Sequence, residues 1–205
     1  MSLDGYIAGP DLTLEEPLGE GGERLHGWGL GLAPWRERHG LSGGETNRDA
    51  EVVEESLAAV GATVMGRRMF SGGSGPWDDD PNADGWWGDD PPFRHPVFIL
   101  THHPRETVTK QGGTSFNFVT EGFEAPLDQA RQAAGDKDVA VAGGANVVQQ
   151  YLAAGLLDEL QIHVVPVLLG GGVRLFADGA DTVALENIRA IQSPSVSHLK
   201  YRVLK

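Results

Sequence analysis

A glycine pair in the second half of the chain carries the clearest chemical signal in the sequence. It follows a valine-rich apolar run, 139–142, which is too short for a helix and is typical of a buried strand. After Gly143 and Gly144 a helical pattern begins, and Gly155 stands where a C′ residue would end that helix. Backbone without Cβ atoms can approach an oxyanion closely, and the free N–H groups of a helix N-terminus attract it. The pattern therefore indicates a phosphate-binding turn, although glycine pairs at such junctions also form plain tight turns.

Composition restricts the kinds of function that the chain can have. Its 205 residues are 40% hydrophobic, which is typical of one globular domain. It has 29 acidic residues against 16 Lys and Arg, and the net charge of −13 argues against a nucleic-acid partner. There are no cysteines, which excludes disulfides and thiol chemistry and favours a cytoplasmic location. No apolar run is long enough to cross a membrane, and no secretory signal is visible.

Strands and helices are predicted to alternate from end to end. Strands are predicted at 2–7, 62–65, 96–101, 116–120, 139–142, 160–167, 183–191 and 198–203, and helices at 47–61, 126–135 and 144–155. The first predicted strand begins almost at Met1, so the sequence leaves open whether the protein starts further upstream. Two long loops, 11–46 and 71–95, interrupt this order. We therefore expect a single domain, 1–205, with two excursions.

The pattern of the strands predicts how they are arranged. Continuous apolar runs in the middle strands and alternation in the last one predict a mixed, mainly parallel sheet with an antiparallel C-terminal edge. Helices would cover both faces, which gives a three-layer α/β fold. The dinucleotide fingerprint of the Rossmann fold does not fit. The glycine pair is not followed by a third glycine, and no acidic residue ends a strand about 20 residues later.

Four segments together resemble the dihydrofolate reductase-like fold and, within it, the reductase domain of riboflavin biosynthesis, the RibD C-terminal domain. They are SLDGYIAG at 2–9, VMGRRMF at 64–70, VFILTHHP at 97–104, and VAGGANVVQQYLAAGLLDEL at 141–160 with PVLLGGGVRLF at 166–176. The resemblance implies an NADPH-dependent reductase of a small heterocyclic, carbonyl or imine substrate, similar to 5-amino-6-(5-phosphoribosylamino)uracil reductase. Two alternatives stay open: a dihydrofolate reductase, and a module that binds a nucleotide or small molecule without turnover.

The resemblance places NADPH across the carboxyl ends of the central strands. It implies a pyrophosphate cradle formed by Gly143, Gly144, Ala145, Asn146 and Val147, and a second helix start beside the phosphates at Gly66, Arg67 and Arg68. It also implies that Thr101 and His102 lie near the adenosine ribose and its 2′-phosphate, and that the backbone of Ala8 contacts the nicotinamide. An arginine beside the phosphates would suit their charge. The two arginines have a simpler alternative, a salt bridge and a solvated surface.

On the substrate side, Asp4 is the candidate catalytic and substrate-binding residue because it stands in the SLDG motif. It either acts near the substrate or fixes the turn that follows. Folate-reducing members of the fold bind the pterin with a buried carboxylate on the first long helix. No segment of 11–50 aligns with that carboxylate, and Glu23, Glu37 and Glu45 are candidates by position only. Hydride transfer depends on positioning more than on a strong acid, so a reductase remains the expectation.

Trp77 is a second candidate for substrate binding. With Trp86 and Trp87 it stands in a polar loop, and such rings need an apolar partner in the core, in a second subunit or in a flat heterocycle. The aspartates of that loop are expected to be solvated. No metal site is predicted, because neighbouring His102 and His103 would point to opposite sides of an extended chain.

A homodimer is predicted from the resemblance and from one apolar segment. Residues 161–169, QIHVVPVLL, are more apolar than a solvent-facing strand of that length should be. Pro166 limits open-ended strand addition and favours a closed pair. The glycines at 170–172 are expected to permit a β-bulge or a wide turn.

Overall fold

The computed structural model describes residues 1–176, 179 and 181–205, and within these it has ten strands and six α-helices. The strands are β1 Tyr6–Ala8, β2 Val60–Gly66, β3 Pro96–Leu100, β4 Val108–Thr109, β5 Ser115–Val119, β6 Asp138–Gly143, β7 Glu159–Val164, β8 Val173–Arg174, β9 Leu185–Gln192 and β10 Ser197–Val203. The helices are α1 Gly27–Leu30, α2 Ala33–Arg38, α3 Arg48–Ala59, α4 Arg67–Ser71, α5 Ala125–Ala134 and α6 Ala145–Ala153.

A five-stranded sheet in the order β4-β5-β3-β2-β6 forms the centre of the fold. Four of its strands run parallel, and the short β4 is antiparallel to β5. Parallel strands that are covered on both faces need apolar side chains on both, which explains the continuous apolar runs. Val64, Val97 and Ile99 are accordingly fully buried. The predicted mainly parallel sheet is confirmed.

Different elements cover the two faces of this sheet. On one face α5 and α6 pack against the strands, so that Ala130 and Tyr151 join Val64 in one buried cluster. On the other face Phe70 of α4 packs in a second cluster together with Trp77 from the second long loop. A short helix and a loop thus cover the second face, while two longer helices cover the first.

The C-terminal strands form a separate antiparallel sheet in the order β7-β10-β9, which confirms the predicted antiparallel edge. Helix α3 lies on one face of it. Gln161 of β7 donates to Ser56 Oγ at 2.8 Å, and Arg189 of β9 donates to Glu55 at 2.7 Å. The helix is therefore hydrogen-bonded to both outer strands of this sheet.

The strand predicted at 160–167 is shorter in the structure. β7 ends at Val164, and the chain beyond it is paired with the first residues of the protein instead of continuing in the same sheet. Ser2 forms a parallel bridge with Val165, and the N–H of Leu3 donates to the Val167 carbonyl at 2.9 Å. The N-terminal residues thus cover part of this apolar segment.

Helix boundaries follow local signals where these exist. Asn47 Oδ1 accepts the N–H of Ala50 at 3.0 Å and caps α3 as predicted. Gly155, with φ of 66°, follows the end of α6 as predicted. Helix α3 ends at Ala59, earlier than expected, because β2 already begins at Val60.

The two long loops contain short helical pieces. The first holds α1, α2 and the 3-10 turn Gly22–Leu25, in agreement with the helical spacing of its apolar residues. The second holds the 3-10 turn Trp77–Asp79. None of the described helices is long and apolar enough to span a bilayer.

Candidate functional site

The glycine turn joins β6 to α6 at the carboxyl edge of the central sheet. β6 ends at Gly143, the Gly143–Gly144 peptide bond is cis, and α6 begins at Ala145. No side chain in the described structure caps α6. The Val147 N–H donates to the Gly144 carbonyl at 3.0 Å, which leaves the N–H groups of Ala145 and Asn146 for a ligand. A Cβ built on either glycine would meet no atom within 4 Å beyond its chain neighbours. The turn therefore borders open space.

Gly66 brings a second strand end against this turn. Met65, the residue before it, pairs with Gly143 across the sheet. A Cβ on Gly66 would lie 3.0 Å from Cγ2 of Val147 and 3.8 Å from the Gly144 nitrogen. The absence of a side chain at Gly66 is what lets β2 end so close to the first turn of α6.

The end of β3 lies beside Gly66, with which Leu100 pairs. Thr101 is buried, and its Oγ1 accepts the N–H of His103 at 3.1 Å, which holds the turn after the strand. His102 is exposed at that turn. The structure thus brings Thr101 and His102 to the same edge of the sheet as the glycine turn.

Arg67 has a different place from the one expected of a phosphate ligand. Its side chain is 7% exposed, lies 2.5 Å from the Asp80 carboxylate and donates to Ser71 Oγ. Burial acts to raise the pKa of Asp80, but hydrogen bonds from Ser71 and Arg67 outweigh it and hold this pKa below its ordinary value. The guanidinium also lies 3.6 Å from the Trp77 ring centroid. Arg67 therefore forms the salt bridge that the sequence left open, and it holds the second long loop against α4.

Arg68 is the second arginine of this turn. It is exposed in α4, two residues after Gly66. It forms no ion pair within the part of the chain that the structure describes. Of the two neighbouring arginines, Arg68 is the one whose charge remains available to a ligand.

The position of Trp77 is explained by packing. Its Nε1 donates to the His103 carbonyl at 2.9 Å, and its ring packs edge-on against Phe70 and Phe118 at 6.0 and 4.9 Å. Arg105 lies 5.2 Å from the same ring. The core is thus the apolar partner of this tryptophan, and the arrangement does not require a substrate.

Asp4 ties the N-terminal turn to the loop after β7. Its Oδ1 accepts the N–H of Leu169 at 3.1 Å, and its Oδ2 accepts the N–H of Gly170 at 2.8 Å. A hydrogen bond from Ser2, followed by these backbone bonds, lowers the pKa of Asp4 to about 2. The carboxyl group is therefore ionised at neutral pH and has no proton to give. Of the two roles considered for Asp4, the geometry supports the structural one.

Ala8 is buried next to the glycine-rich loop. β1 pairs with β8, and the register shifts between Tyr6 and Ala8, so the irregularity lies in β1 and not at the glycines 170–172. Gly172 has φ of 117°, and a Cβ there would lie 2.2 Å from the Ala8 carbonyl oxygen. Gln149 of α6 donates to the Leu175 carbonyl at 3.1 Å. Helix α6 thus connects the glycine turn to the strand pair that holds Ala8.

The first long helix carries a buried carboxylate that is not among the three glutamates considered from the sequence. The three glutamates considered by position are all exposed: Glu23, Glu37 and Glu45. Asp49, in the first turn of α3, is only 5% exposed. Its Oδ1 lies 3.0 Å from His198 Nε2, and its Oδ2 accepts the Ser193 hydroxyl at 3.0 Å. Its position three residues before buried Val52 is the helical signal that could have found it.

His198 links Asp49 to a second histidine. The Nδ1 atoms of His198 and His163 are 2.6 Å apart, and the Trp28 ring packs against both imidazoles at 5.1 and 5.0 Å. His163 and Trp28 line a cavity of about 210 Å³, together with Ile7, Ile162 and Leu175.

His198 is buried although it lies on the polar face of its strand. Alternation groups it with Lys200 and Arg202 on one face of a half-exposed strand, but His198 is 3% exposed. The period of two in a strand shows which residues share a face of the sheet. It does not show that α3 covers the polar face of this strand. The visible signal of a buried histidine partner was His163, a histidine within the apolar segment 161–169.

Within the described residues, no group of three or more His, Asp or Glu side chains is arranged to hold a metal ion. Four aspartates of the second long loop are exposed: Asp78, Asp79, Asp89 and Asp90. These four lie at the surface, as expected. Asp80 of the same loop was also expected to be solvated, but its side chain is only 3% exposed because it pairs with Arg67.

Comparison with known proteins gives a family match over most of the chain. The model of the RibD C-terminal domain matches residues 1–198. Riboflavin biosynthesis protein RibD of Corynebacterium ammoniagenes is 36% identical over 78 residues, 36% of this chain and 23% of that protein. The uncharacterized protein YwjB of Bacillus subtilis (strain 168) is 37% identical over 59 residues, 29% of this chain and 33% of that protein. The chain thus matches less than two thirds of the length of these curated relatives.

Solved structures share the fold. A candidate riboflavin biosynthesis protein of Shewanella sp. PV-4 superposes with a TM-score of 0.64 at 23% identity, over 100% of this chain and 96% of that one. The diaminohydroxyphosphoribosylaminopyrimidine deaminase/5-amino-6-(5-phosphoribosylamino)uracil reductase of Thermotoga maritima gives a TM-score of 0.53 at 14% identity, over 99% of this chain and 54% of that one. At these identities the likeness shows the fold, which is dihydrofolate reductase-like. Together with the family match, it follows that this chain belongs to the RibD C-terminal domain family.

Proposed function

We propose that the chain is an NADPH-dependent reductase of a small heterocycle with a C=N or C=O group, of the riboflavin-pathway kind. Family membership supports an oxidoreductase, and 5-amino-6-(5-phosphoribosylamino)uracil, the substrate named for the Thermotoga protein, is the nearest precedent. The observation that carries the proposal is the glycine turn, where the ends of β2 and β6 and an uncapped helix meet beside open space. The cysteine-free composition supports a cytoplasmic enzyme.

The residues at this edge of the sheet fit a dinucleotide phosphate. The cradle of residues 143–147 would hold the pyrophosphate, and Arg68 and His102 would face the 2′-phosphate. Ala8 would offer backbone groups to the nicotinamide carboxamide. When bound, NADPH supplies the hydride, and the protein supplies position and charge. Arg67 would act only indirectly, by holding the neighbouring loop.

A dihydrofolate reductase has less support from the structure. Both oxygens of the Asp49 carboxylate are already bonded within the protein, one to His198 and one to Ser193. A pterin would have to displace these partners, at the cost of leaving buried polar groups without hydrogen bonds. A module that binds without turnover is separated from the reductase by the assay below.

The first prediction concerns the choice of cofactor. NADPH should raise the melting temperature more than NADH, and at ~100 times its dissociation constant it should add about 2.7 kcal/mol to the free energy of unfolding. Arg68→Gln should weaken NADPH binding about tenfold through the lost charge-assisted bond and leave NADH binding unchanged. The exposed Arg24 provides a control, and Arg24→Gln should bind both cofactors as the parent does.

Thermal-shift titrations and the loss of nicotinamide absorbance on adding 5-amino-6-(5-phosphoribosylamino)uracil check this prediction. Equal shifts from NADPH and NADH would contradict the 2′-phosphate assignment. No shift from either would contradict the cofactor itself. A shift without oxidation of NADPH by any candidate substrate would support the binding module over the enzyme.

A further inference from the structure

Trp77 is held by two arginines that follow the ends of two different strands. Arg67 comes directly after β2, and Arg105 lies in the connection that follows β3. Their guanidinium carbons are 3.6 and 5.2 Å from the centroid of the Trp77 ring. A guanidinium within about 6 Å of an indole face is attracted by the ring. Because β2 and β3 pair with each other, Trp77 joins the ends of two neighbouring strands.

An aspartate of the second long loop pairs with each of these arginines. Arg67 lies 2.5 Å from Asp80, and their side chains are 7% and 3% exposed. Arg105 lies 2.5 Å from Asp84 and also donates to the Ala83 carbonyl. A buried ion pair resists displacement, since separating its partners leaves an uncompensated charge away from water. The loop is thus fixed at two points, one beside each strand end.

The indole of Trp77 also holds the turn that follows β3. Its Nε1–H donates to the His103 carbonyl at 2.9 Å, and the His103 N–H donates to Thr101 Oγ1 at 3.1 Å. The Thr101 N–H in turn donates to the Val119 carbonyl of β5 at 3.1 Å. His102 stands between two of these bonded residues, so the same hydrogen bonds fix the backbone that carries its side chain.

The two residues expected at the 2′-phosphate are the direct neighbours of this assembly in the chain. Arg68 follows Arg67, and His102 precedes His103. Both Arg68 and His102 are exposed, so the distance between them depends on the backbone segments that carry them. Hydrogen bonds weaken steeply once a donor leaves its preferred distance and angle. Recognition of one phosphate by both residues therefore depends on what holds the two strand ends together.

We propose that Trp77 is a positioning residue for the 2′-phosphate of NADPH. It touches no cofactor itself. Held by Arg67 and Arg105, it fixes the turn that carries His102 relative to the strand end that carries Arg68. The proposal rests on the proposed reductase function, and it adds the part of the chain that determines the preference for NADPH over NADH.

Trp87 provides a matched comparison within the same loop. Both tryptophans pack against the same buried cluster, where the Trp87 ring lies 4.9 Å from that of Phe93. The Nε1 of Trp87 is buried and has no hydrogen-bond partner within the described part of the chain. Replacing either indole by a phenyl ring removes similar apolar area. Only the replacement at Trp77 also removes a hydrogen bond to the turn after β3.

Hydrogen exchange in the free protein tests whether the indole holds this turn. Trp77→Phe keeps an aromatic ring against Phe70 and Phe118, but it has no N–H for the His103 carbonyl. The His103 amide should then exchange about tenfold faster, because the turn that protects it opens more often. Trp87→Phe should leave this rate unchanged. An unchanged rate in Trp77→Phe would overturn the proposal.

Calorimetric titration with NADPH and with NADH tests the effect on recognition. Trp77→Phe should weaken NADPH binding about tenfold and leave NADH binding within about twofold of the parent, because NADH has no 2′-phosphate. Trp87→Phe should bind both cofactors as the parent does. Equal losses for NADPH and NADH in Trp77→Phe would show that this residue supports only the fold, and they would refute its positioning role.

A double-mutant cycle with His102→Ala tests the route of the effect. If Trp77 acts by holding His102, the loss caused by Trp77→Phe should disappear once the imidazole is absent. The double variant should therefore bind NADPH within about twofold of His102→Ala alone. Losses that multiply would mean that the two residues act independently, which contradicts the proposal.

A milder variant tests the role of the arginines without touching the core. Asp84 is 72% exposed, and Asp84→Asn removes the charge that holds Arg105 beside the ring. NADPH binding should weaken about threefold, in the same direction as in Trp77→Phe, with NADH binding unchanged. An affinity for NADPH equal to that of the parent would remove Arg105 from the assembly.

Failure of the positioning role differs from failure of the proposed function. If the parent binds NADPH more tightly than NADH and Trp77→Phe keeps the full preference, the cofactor assignment stands and the positioning role is wrong. If the parent binds neither cofactor, the proposed function fails and the role at the 2′-phosphate fails with it. Exchange of the His103 amide then still decides whether Trp77 holds the turn.

Discussion

Arg67 and Arg68 are neighbours in the sequence and have opposite surroundings in the structure. Arg67 is buried against Asp80 and Trp77, while Arg68 remains exposed. Nothing in the local sequence distinguishes them, because the partner of Arg67 comes from a loop that has no periodic pattern. The glycine pair was predictable for the opposite reason, since the strand, the glycines and the helix stand next to one another in the chain.

The contact between Asp49 and His198 could not be predicted from periodicity. Asp49 and His198 are 149 residues apart in the sequence, and their contact depends on α3 lying across the C-terminal sheet. The helical pattern gives the buried face of α3, and the strand pattern gives two faces of β10. Neither pattern shows which of these surfaces meet.

At the glycine turn, a side chain at Gly144 should affect the ligand and not the fold. The backbone at this position has φ of −69° and ψ of −171°, which any residue adopts, and a Cβ there meets no atom within 4 Å. Gly144→Val should therefore weaken NADPH binding about tenfold or more by occupying the space of the pyrophosphate. Its melting temperature without cofactor should stay near that of the parent.

Titration followed by tryptophan fluorescence measures this effect. Gly144→Ala adds a smaller group, so its affinity should lie between those of the parent and the valine variant. If the valine variant binds NADPH as tightly as the parent, the turn is purely structural.

The bonds to Asp4 predict a dependence of stability on pH. Its pKa is lowered from 3.8 to about 2 in the folded protein, so its contribution to stability is complete above the unfolded value and is lost as the pH falls through about 2. Asp4→Asn should melt below the parent at neutral pH, and the difference should shrink as the pH falls from about 4 to about 2. Melting curves over a series of pH values measure this difference.

An exposed aspartate provides the control for Asp4. Asp136→Asn should melt with the parent throughout the series. A difference between Asp4→Asn and the parent that stays constant down to pH 2 would show that the carboxylate charge does not stabilise the turn.

At the scale of elements, the parts with strong local signals are the parts that the sequence predicted. Helices α3 and α6 have a capping asparagine and a terminating glycine, and the central strands are continuous apolar runs. The irregular pairing of β1 with β8 has no such signal, since its two strands are short and far apart in the chain. Its geometry depends instead on a close approach of two backbones.

Gly172 is the residue that permits this approach. In Gly172→Ala the Cβ would lie 2.2 Å from the Ala8 carbonyl oxygen, at a φ of 117° that L residues rarely adopt. We expect a loss of about 2–3 kcal/mol in the free energy of unfolding from strain and overpacking. A Cβ on Gly171, the preceding residue, would meet no atom within 4 Å, so Gly171→Ala should change stability by less than about 0.5 kcal/mol.

Denaturant unfolding of the two alanine variants gives these free energies. Equal stability of the two would contradict the close approach of β1 to the glycine-rich loop. Displacement of Ala8 in Gly172→Ala should also weaken cofactor binding, which the fluorescence titration reports separately.

At the scale of the whole molecule, the homodimer remains a prediction. The N-terminal residues cover only part of the apolar segment after β7, and Leu3 and Leu168 are 67% and 70% exposed near the bonded pair Leu3–Val167. Exposed leucines on adjacent segments mark a surface that a second copy of the chain could cover.

Light scattering at micromolar concentration should give a mass about twice the monomer mass of 21.9 kDa. Leu168→Glu should shift the mass toward the monomer, because a charge would be buried in the interface. Leu30 is 52% exposed on α1, and Leu30→Glu should leave the mass unchanged. A parent mass near 21.9 kDa would refute the dimer.

The hydrogen bonds between the N-terminal turn and the loop after β7 also constrain the order in which the chain folds during synthesis. Asp4 binds the N–H of Gly170, 166 residues later, whereas β2 and β3 are separated by one loop. During synthesis β1 has no strand to pair with until β8 has left the ribosome, while the central strands and the glycine turn can already pair. Contacts of such large sequence separation form slowly. We therefore expect β1 to dock last, so that the segment with Ile7 and Ala8 closes onto a glycine turn that has already formed.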